Sequence, residues 1–192
     1  MEDRKLRMEG AAFAARLERL YGAEGAAEAR TRCCEVVAGF EKTFESEPEA
    51  LFSAPGRTEL GGNHTDHQHG RVLAAAVDLD ILAAVAPNQS GMIRVQSQGY
   101  PLMVVDLSDL NPHAEEAGTS AALIRGVAAR MSAMGCPLQN VGLDAYMVSN
   151  VPGGSGLSSS AAFEVLIGTI LNDLFWGGKC SAVEIAQIGQ YA

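Results

Sequence analysis

Val151-Pro152-Gly153-Gly154-Ser155-Gly156-Leu157-Ser158-Ser159-Ser160-Ala161-Ala162 joins two stretches of different periodicity. Before it, Val141 to Asn150 alternates, with Leu143, Ala145 and Met147 on one face, which is the two-residue period of a strand. After it, Ser159 to about Phe175 is apolar on most sides, and only Glu164, Gly168 and Asn172 make a narrow non-apolar stripe. That pattern predicts a mostly buried helix. A glycine-serine loop between strand and helix suits an anion. Glycines let the backbone turn sharply and approach a ligand closely. Successive N–H groups can point inward as a nest, and a helix start adds unpaired donors and partial positive charge. The serine hydroxyls supply further donors, and one can hold a divalent cation. The plainer reading is a flexible turn that happens to precede a helix.

Two common motifs are excluded. No lysine follows in the position that Gly-x-x-x-x-Gly-Lys-Ser/Thr demands. Gly153-Gly154-Ser155 runs on to Gly156-Leu157, which does not fit the Gly-x-Ser-x-Gly elbow of serine hydrolases.

Working outward, Ser181 and Glu184 form a capping box that opens a final helix. That helix meets no stop signal before Ala192, so a truncated chain is expected. Upstream, Thr119 or Ser120 caps a helix to about Met134, with Ile124, Val127, Ala128, Met131 and Met134 on its apolar face. Gly135 ends it and Pro137 prevents its resumption. Met92 to Ser97 and Leu102 to Leu107 read as an antiparallel hairpin around Gln98-Gly99-Tyr100-Pro101. Val72 to Ala86 is in part a strand. Leu51 to Ala54 is a short strand ended by Pro55-Gly56, and residues 56–70 read as a polar loop. Residues up to about Phe44, rich in Ala, Glu and Arg, predict two helices broken near Tyr21-Gly22. The division expected is a helical segment over 1–50 and one α+β domain over 51–192, its mixed or antiparallel sheet backed by helices.

Composition narrows the function. The 192 residues are 47% hydrophobic and 19% charged, an ordinary globular balance. A net charge of −9 repels nucleic acid and anionic membrane surfaces, so neither is an expected partner. The apolar stretch from Val72 to Pro87 cannot span a bilayer without burying Asp78 and Asp80. Those aspartates are expected on the polar face of a strand. Arg125 and Arg130 are expected on a solvated helix face. The N-terminus carries no apolar run of signal-peptide length. Cys33, Cys34, Cys136 and Cys180 show neither metal spacing nor a disulfide framework, so buried thiols in a reducing cytoplasm are expected.

The loop Pro55-Gly56-Arg57-Thr58-Glu59-Leu60-Gly61-Gly62-Asn63-His64-Thr65-Asp66-His67-Gln68-His69-Gly70 is the other stretch dense in chemistry. His64, Asp66, His67 and His69 are four potential metal ligands in six residues, with His113 a distant fifth. The spacing lacks the helical His-x-x-x-His geometry, and a solvated polar loop is the other plain reading.

The string Gly-Leu-Ser-Ser-Ser-Ala-Ala resembles the nucleotide loop of the GHMP kinases, and Arg57, His64, Thr65 and Asp66 match the galactokinase signature in order and spacing. The resemblance runs from about Leu51 onward and implies the ribosomal-protein-S5-domain-2-like fold of a GHMP N-terminal domain. It implies that Gly153, Gly154, Ser155, Gly156, Leu157, Ser158, Ser159 and Ser160 bind ATP, with Ser160 on the Mg²⁺ side. Asn63, His64, Thr65 and Asp66 would hold a sugar, since carboxylates are strong acceptors for hydroxyls. Arg57 would stabilise charge on the phosphoryl group in flight. Ser97 would approach the nucleotide from the neighbouring hairpin. The implied reaction moves the ATP γ-phosphate to the C1 hydroxyl of galactose. Two positions depart from the signature: Asn63 replaces a glutamate and His67 an aromatic residue. The neutral Asn63 would tolerate a sugar bearing its own carboxylate, which makes a uronic acid the alternative substrate. A non-catalytic sugar-binding regulator is the alternative class. The resemblance also implies a catalytic aspartate and a C-terminal domain beyond Ala192, so these residues alone are expected to lack turnover.

Overall fold

A computed structural model describes residues 8–62 and 70–192. The elements are α1 (Ala11–Phe44), β1 (Ala50–Gly61), β2 (Leu73–Asn88), β3 (Met92–Ser97), β4 (Met103–Asp106), α2 (Ser120–Ala133), β5 (Gly142–Ser149), α3 (Ser159–Trp176) and α4 (Ala182–Tyr191). Among the described residues the strands form one sheet in the order β1-β2-β5-β3-β4. β5 runs antiparallel to β2 and parallel to β3, so the sheet is mixed. No helix among the described residues is long and apolar enough to cross a membrane.

Both faces of the sheet are covered, which explains why β5 is buried on alternate and intervening residues alike. Leu143, Ala145 and Met147 join Ile81, Ala83 and Val85 of β2 in a core against α2, α3 and α4. The opposite face presents Leu82, Ala84, Ala86 and Val148 to Leu17, Ala29, Cys33, Val36 and Phe40 of α1. Where α1 ends, Arg94 of β3 grips Asp144 of β5 through two 2.6 Å bonds and lies 5.3 Å from the Phe44 ring centroid.

The predicted break in α1 falls at Gly22, with φ 73° and ψ 167°. Essentially only glycine enters that region of backbone space. Thr119 caps α2, and Ser181 and Glu184 close their capping box on α4. The β3–β4 hairpin pairs Ile93 with Val105 as its alternation predicts.

Four expectations fail. Pro55-Gly56 does not end β1, which continues to Gly61 with a register shift between Pro55 and Arg57, so residues 56–61 are strand and not loop. Edge strands tolerate proline because the missing N–H has no neighbour to serve, and β1 is an edge. The non-apolar stripe on α3 agrees with the mostly buried helix expected. Gly168 faces Ile185, and Asn172, 8% exposed, exchanges two hydrogen bonds with the backbone of Cys180. Arg125 is likewise buried, bound to both carboxylate oxygens of Glu116 and to the Asp109 carbonyl. Asp80 is buried while Asp78 is exposed. Cys34 is exposed, whereas burial pushes the Cys33 and Cys136 thiols up to about 11. Arg130 is exposed as expected, over the Tyr191 ring.

Candidate functional site

β1 and the glycine-serine loop meet. The Arg57 backbone N–H donates to the Leu157 carbonyl at 3.0 Å. Gly56 makes the approach possible, because a Cβ there would stand 2.9 Å from the Leu157 oxygen and 3.2 Å from Val151 Cγ1. Arg57 itself reaches outward, half exposed, with Nη1 3.0 Å from Glu59 Oε1. Asn63, His64, Thr65, Asp66, His67 and His69 lie outside the described residues. The strands that flank them end at Gly61 and begin at Leu73.

The loop itself turns through left-handed backbone at Gly154 (φ 70°), Gly156 (φ 78°) and Ser158 (φ 58°). Ser155 Oγ donates to the Pro152 carbonyl at 2.7 Å and accepts from the Leu157 N–H at 3.4 Å, closing the turn from within. Ser158 stands at the N-cap of α3 without a side-chain cap bond. The first-turn N–H groups of Ser159, Ser160 and Ala161 therefore keep their donor capacity, as helix N-termini do. Residues 152–156 and Ser160 are exposed.

A cavity of about 470 Å³ opens beside this helix start. Its walls include Ser159, Ser160, Ser97, Gln98, Tyr100 and Ser120, so the loop, the hairpin tip and the head of α2 converge on one space. Ser97, expected to approach a nucleotide from the hairpin, is among these walls. Tyr100 and Ser120 escaped that reading, because a turn residue and a helix cap look the same in sequence whether or not they face a cavity. A larger cavity of about 750 Å³ lies between the first segment of α1 and the β1–β2 pair, with Phe13, Leu20, Leu51 and Val77 among its walls.

A buried polar network also escaped the sequence. Asp80 Oδ2 accepts from the Tyr21 hydroxyl and from Ser53 Oγ, each at 2.5 Å, and Arg32 Nη2 lies 2.7 Å from Oδ1. Burial and the Asp80 bond push the Tyr21 hydroxyl up to about 12. The break at Gly22 was the one visible clue that Tyr21 is held in place. Elsewhere, His113 lies 3.1 Å from Asp109 and 3.6 Å from Glu115, and among the described residues no group of three His, Cys, Asp or Glu side chains is arranged to hold a metal ion.

The family model described as "Galactokinase galactose-binding signature" matches residues 38–87. The model described as "GHMP kinases N terminal domain" matches residues 120–192. This chain belongs to the galactokinase family. The galactokinase of Lacticaseibacillus paracasei is 37% identical over 156 residues, 81% of this chain and 40% of that one. The galactokinase of Streptomyces coelicolor is 37% identical over 148 residues, 73% of this chain and 37% of that one. The chain thus spans about 40% of the length of the curated galactokinases it matches. In fold, the Lactococcus lactis galactokinase complexed with galactose superposes with a TM-score of 0.73 at 23% identity, covering 82% of this chain and 41% of that one. The Methanococcus jannaschii mevalonate kinase gives 0.60 at 17%, covering 73% and 44%. The galactokinase family's sheet and helices are therefore the frame on which the loop and Arg57 sit.

Proposed function

We propose that this chain carries the nucleotide loop and sugar signature of a kinase that moves the γ-phosphate of ATP to the C1 hydroxyl of galactose. The observation that carries the reading is the 3.0 Å bond from the Arg57 N–H to the Leu157 carbonyl, which joins the signature strand to the loop. Phosphoryl transfer depends on placement and charge stabilisation more than on covalent chemistry. In this reading Gly153 to Ser160 wrap the phosphates, with the unpaired amides at the head of α3 as donors. The base occupies the 470 Å³ cavity against Tyr100, beside Ser97. Arg57 faces the transferring group, and Asn63, His64, Thr65 and Asp66 hold the sugar.

Mg²⁺ fits the donor set. It prefers one or two protein oxygens together with phosphate oxygens and water. The exposed Ser160 hydroxyl on the cavity wall supplies one such oxygen. Bound there with ATP, the ion would neutralise phosphate charge. The remaining length of the relatives would complete the sugar site and supply the catalytic base, and the enzyme would work in the cytoplasm.

The test is a titration of the 192-residue chain with a fluorescent ATP analogue and Mg²⁺. Saturable binding that weakens at least tenfold in Ser160→Ala and in Gly154→Val is expected. Absence of saturable binding to the wild-type chain refutes the reading. In a chain extended to the relatives' length, galactose 1-phosphate should form. Turnover of galacturonate in place of galactose would transfer the assignment to uronic acids.

A further inference from the structure

We infer that the kinked helix α1 braces the glycine-serine loop, acting through Asp80 upon Asn150, so that Tyr21, Arg32 and Asp80 are positioning residues for the nucleotide. The inference rests on reading residues 153–160 as the nucleotide loop.

The contacts form an unbroken path. Asn150 is the residue between the end of β5 and the loop, and Asp80 grips it twice. The Asp80 N–H donates to Asn150 Oδ1 at 2.6 Å, and the Asn150 N–H donates to the Asp80 carbonyl at 3.1 Å. That two-point clasp fixes both the side chain and the backbone at the loop's root. Asp80 is in turn fixed from the other direction. Its carboxylate, 2% exposed, meets the Tyr21 hydroxyl, the Ser53 hydroxyl and the Arg32 guanidinium. Arg32 Nη2 also reaches the Asp80 carbonyl at 3.5 Å.

A carboxylate removed from water is stable only where its donors are, so these three groups dictate where Asp80 sits. A buried ion pair contributes little net stability compared with apolar packing. What this one supplies is location, at the point from which the loop departs. Tyr21 ends the first segment of α1 and Arg32 lies on the second, with the Gly22 kink between them. The bend therefore lets one helix present both groups to one carboxylate. Both residues precede the stretch matched by the galactokinase model, which begins at residue 38. Ser53, Asp80 and Asn150, by contrast, lie within the matched stretches 38–87 and 120–192.

Hydrogen exchange measured by mass spectrometry on the whole 192-residue chain tests the coupling without any ligand. Tyr21→Phe keeps the ring and leaves Ser53 and Arg32 on Asp80, so the chain stays folded. The hydrogen-bonded amides of Asn150, Val151 and Leu157 should then exchange on the order of tenfold faster, while those of α2 keep their wild-type rates. Asn150→Leu, which removes the acceptor and leaves α1 intact, should give the same pattern. Asn150→Asp, which retains an acceptor, should restore most of the protection. Affinity for a non-hydrolysable ATP analogue should fall about tenfold in Tyr21→Phe and Asn150→Leu with unchanged far-ultraviolet dichroism. Wild-type exchange of the Asn150, Val151 and Leu157 amides in both variants overturns the brace. If the wild-type chain binds no nucleotide yet the exchange pattern appears, the brace stands and the kinase reading of the loop falls.

Discussion

Replacing Gly56 by alanine tests the joint between strand and loop most directly. The new Cβ would lie 2.9 Å from the Leu157 carbonyl oxygen, 3.2 Å from Val151 Cγ1 and 3.4 Å from Val77 Cγ2. Carbon–oxygen contacts in proteins settle at about 3.3 Å, so roughly 0.4 Å of separation must be found. β1 is paired with β2 on both sides of Gly56, through Pro55 and Arg57, and has little room to yield. The loop yields instead, since its residues 152–156 are exposed. Retreat of Leu157 by that amount stretches the Arg57 N–H bond from 3.0 Å to about 3.4 Å, beyond the useful range. Losing a backbone hydrogen bond costs about 0.5–1.5 kcal/mol. Overpacking by one methyl adds about 1–3 kcal/mol. The expected destabilisation is therefore about 1.5–4.5 kcal/mol in urea unfolding, with an unchanged m-value. The Arg57 amide should lose its exchange protection, and affinity for an ATP analogue should drop with it. A Gly56→Ala chain with wild-type stability and a protected Arg57 amide would show that strand and loop are not in this contact.

Gly22→Ala forces a side chain into backbone reserved for glycine and should cost about 1–3 kcal/mol in urea unfolding, with the loss of Tyr21 protection. An unchanged midpoint would mean that the helix does not kink there. The Arg125 bonds hold the Glu116 carboxyl below its ordinary range. A depressed carboxyl stabilises above its unfolded value and loses that contribution as pH falls through the folded one. The urea midpoint should fall below about pH 4.5 more steeply in the wild type than in Glu116→Gln. Tyr21 has the opposite sense: its raised hydroxyl stabilises below about 10, and that contribution is lost as pH rises towards about 12. Tyr21→Phe should flatten the alkaline limb of the pH–stability curve. Leu60 and Leu73, each about two-thirds exposed at the end of the β1–β2 pair, should bind an apolar dye. Leu60→Ser with Leu73→Ser should lower the dye signal while leaving the melting temperature within a degree or two.

Elements with strong local periodicity or caps were legible in the sequence. α2, α4, the β3–β4 hairpin and the break at Gly22 declared themselves through three-four spacing, Ser181–Glu184 pairing and alternation. The glycine-serine loop was legible because its residues, strand and helix are contiguous. β1 misled at Pro55-Gly56, because turn chemistry is read locally and edge position is not. Asp80 and Arg125 misled for a related reason. A charge among apolar residues reads as a solvent-facing position unless its partners are known. The partners here, Tyr21 and Arg32 for one and Glu116 for the other, are set by tertiary packing. The walls of the 470 Å³ cavity come from four separate segments, and no spacing rule joins them.

The place of β5 in the sheet bears on how the molecule forms. β1 with β2, and β3 with β4, are hairpins whose strands are neighbours in the chain, but nothing pairs β2 with β3 directly. β5 must wedge between them, matching Ile81 to Ser149 on one side and Ile93 to Leu143 on the other. Long-range pairings of this kind are late and slow compared with local ones. On the ribosome the two ribbons can assemble early, yet they become one sheet only after residue 149 has emerged. The segment that leaves β5 is then anchored after both hairpins, and a stalled or mispaired insertion would cost the molecule its loop before it cost it either hairpin.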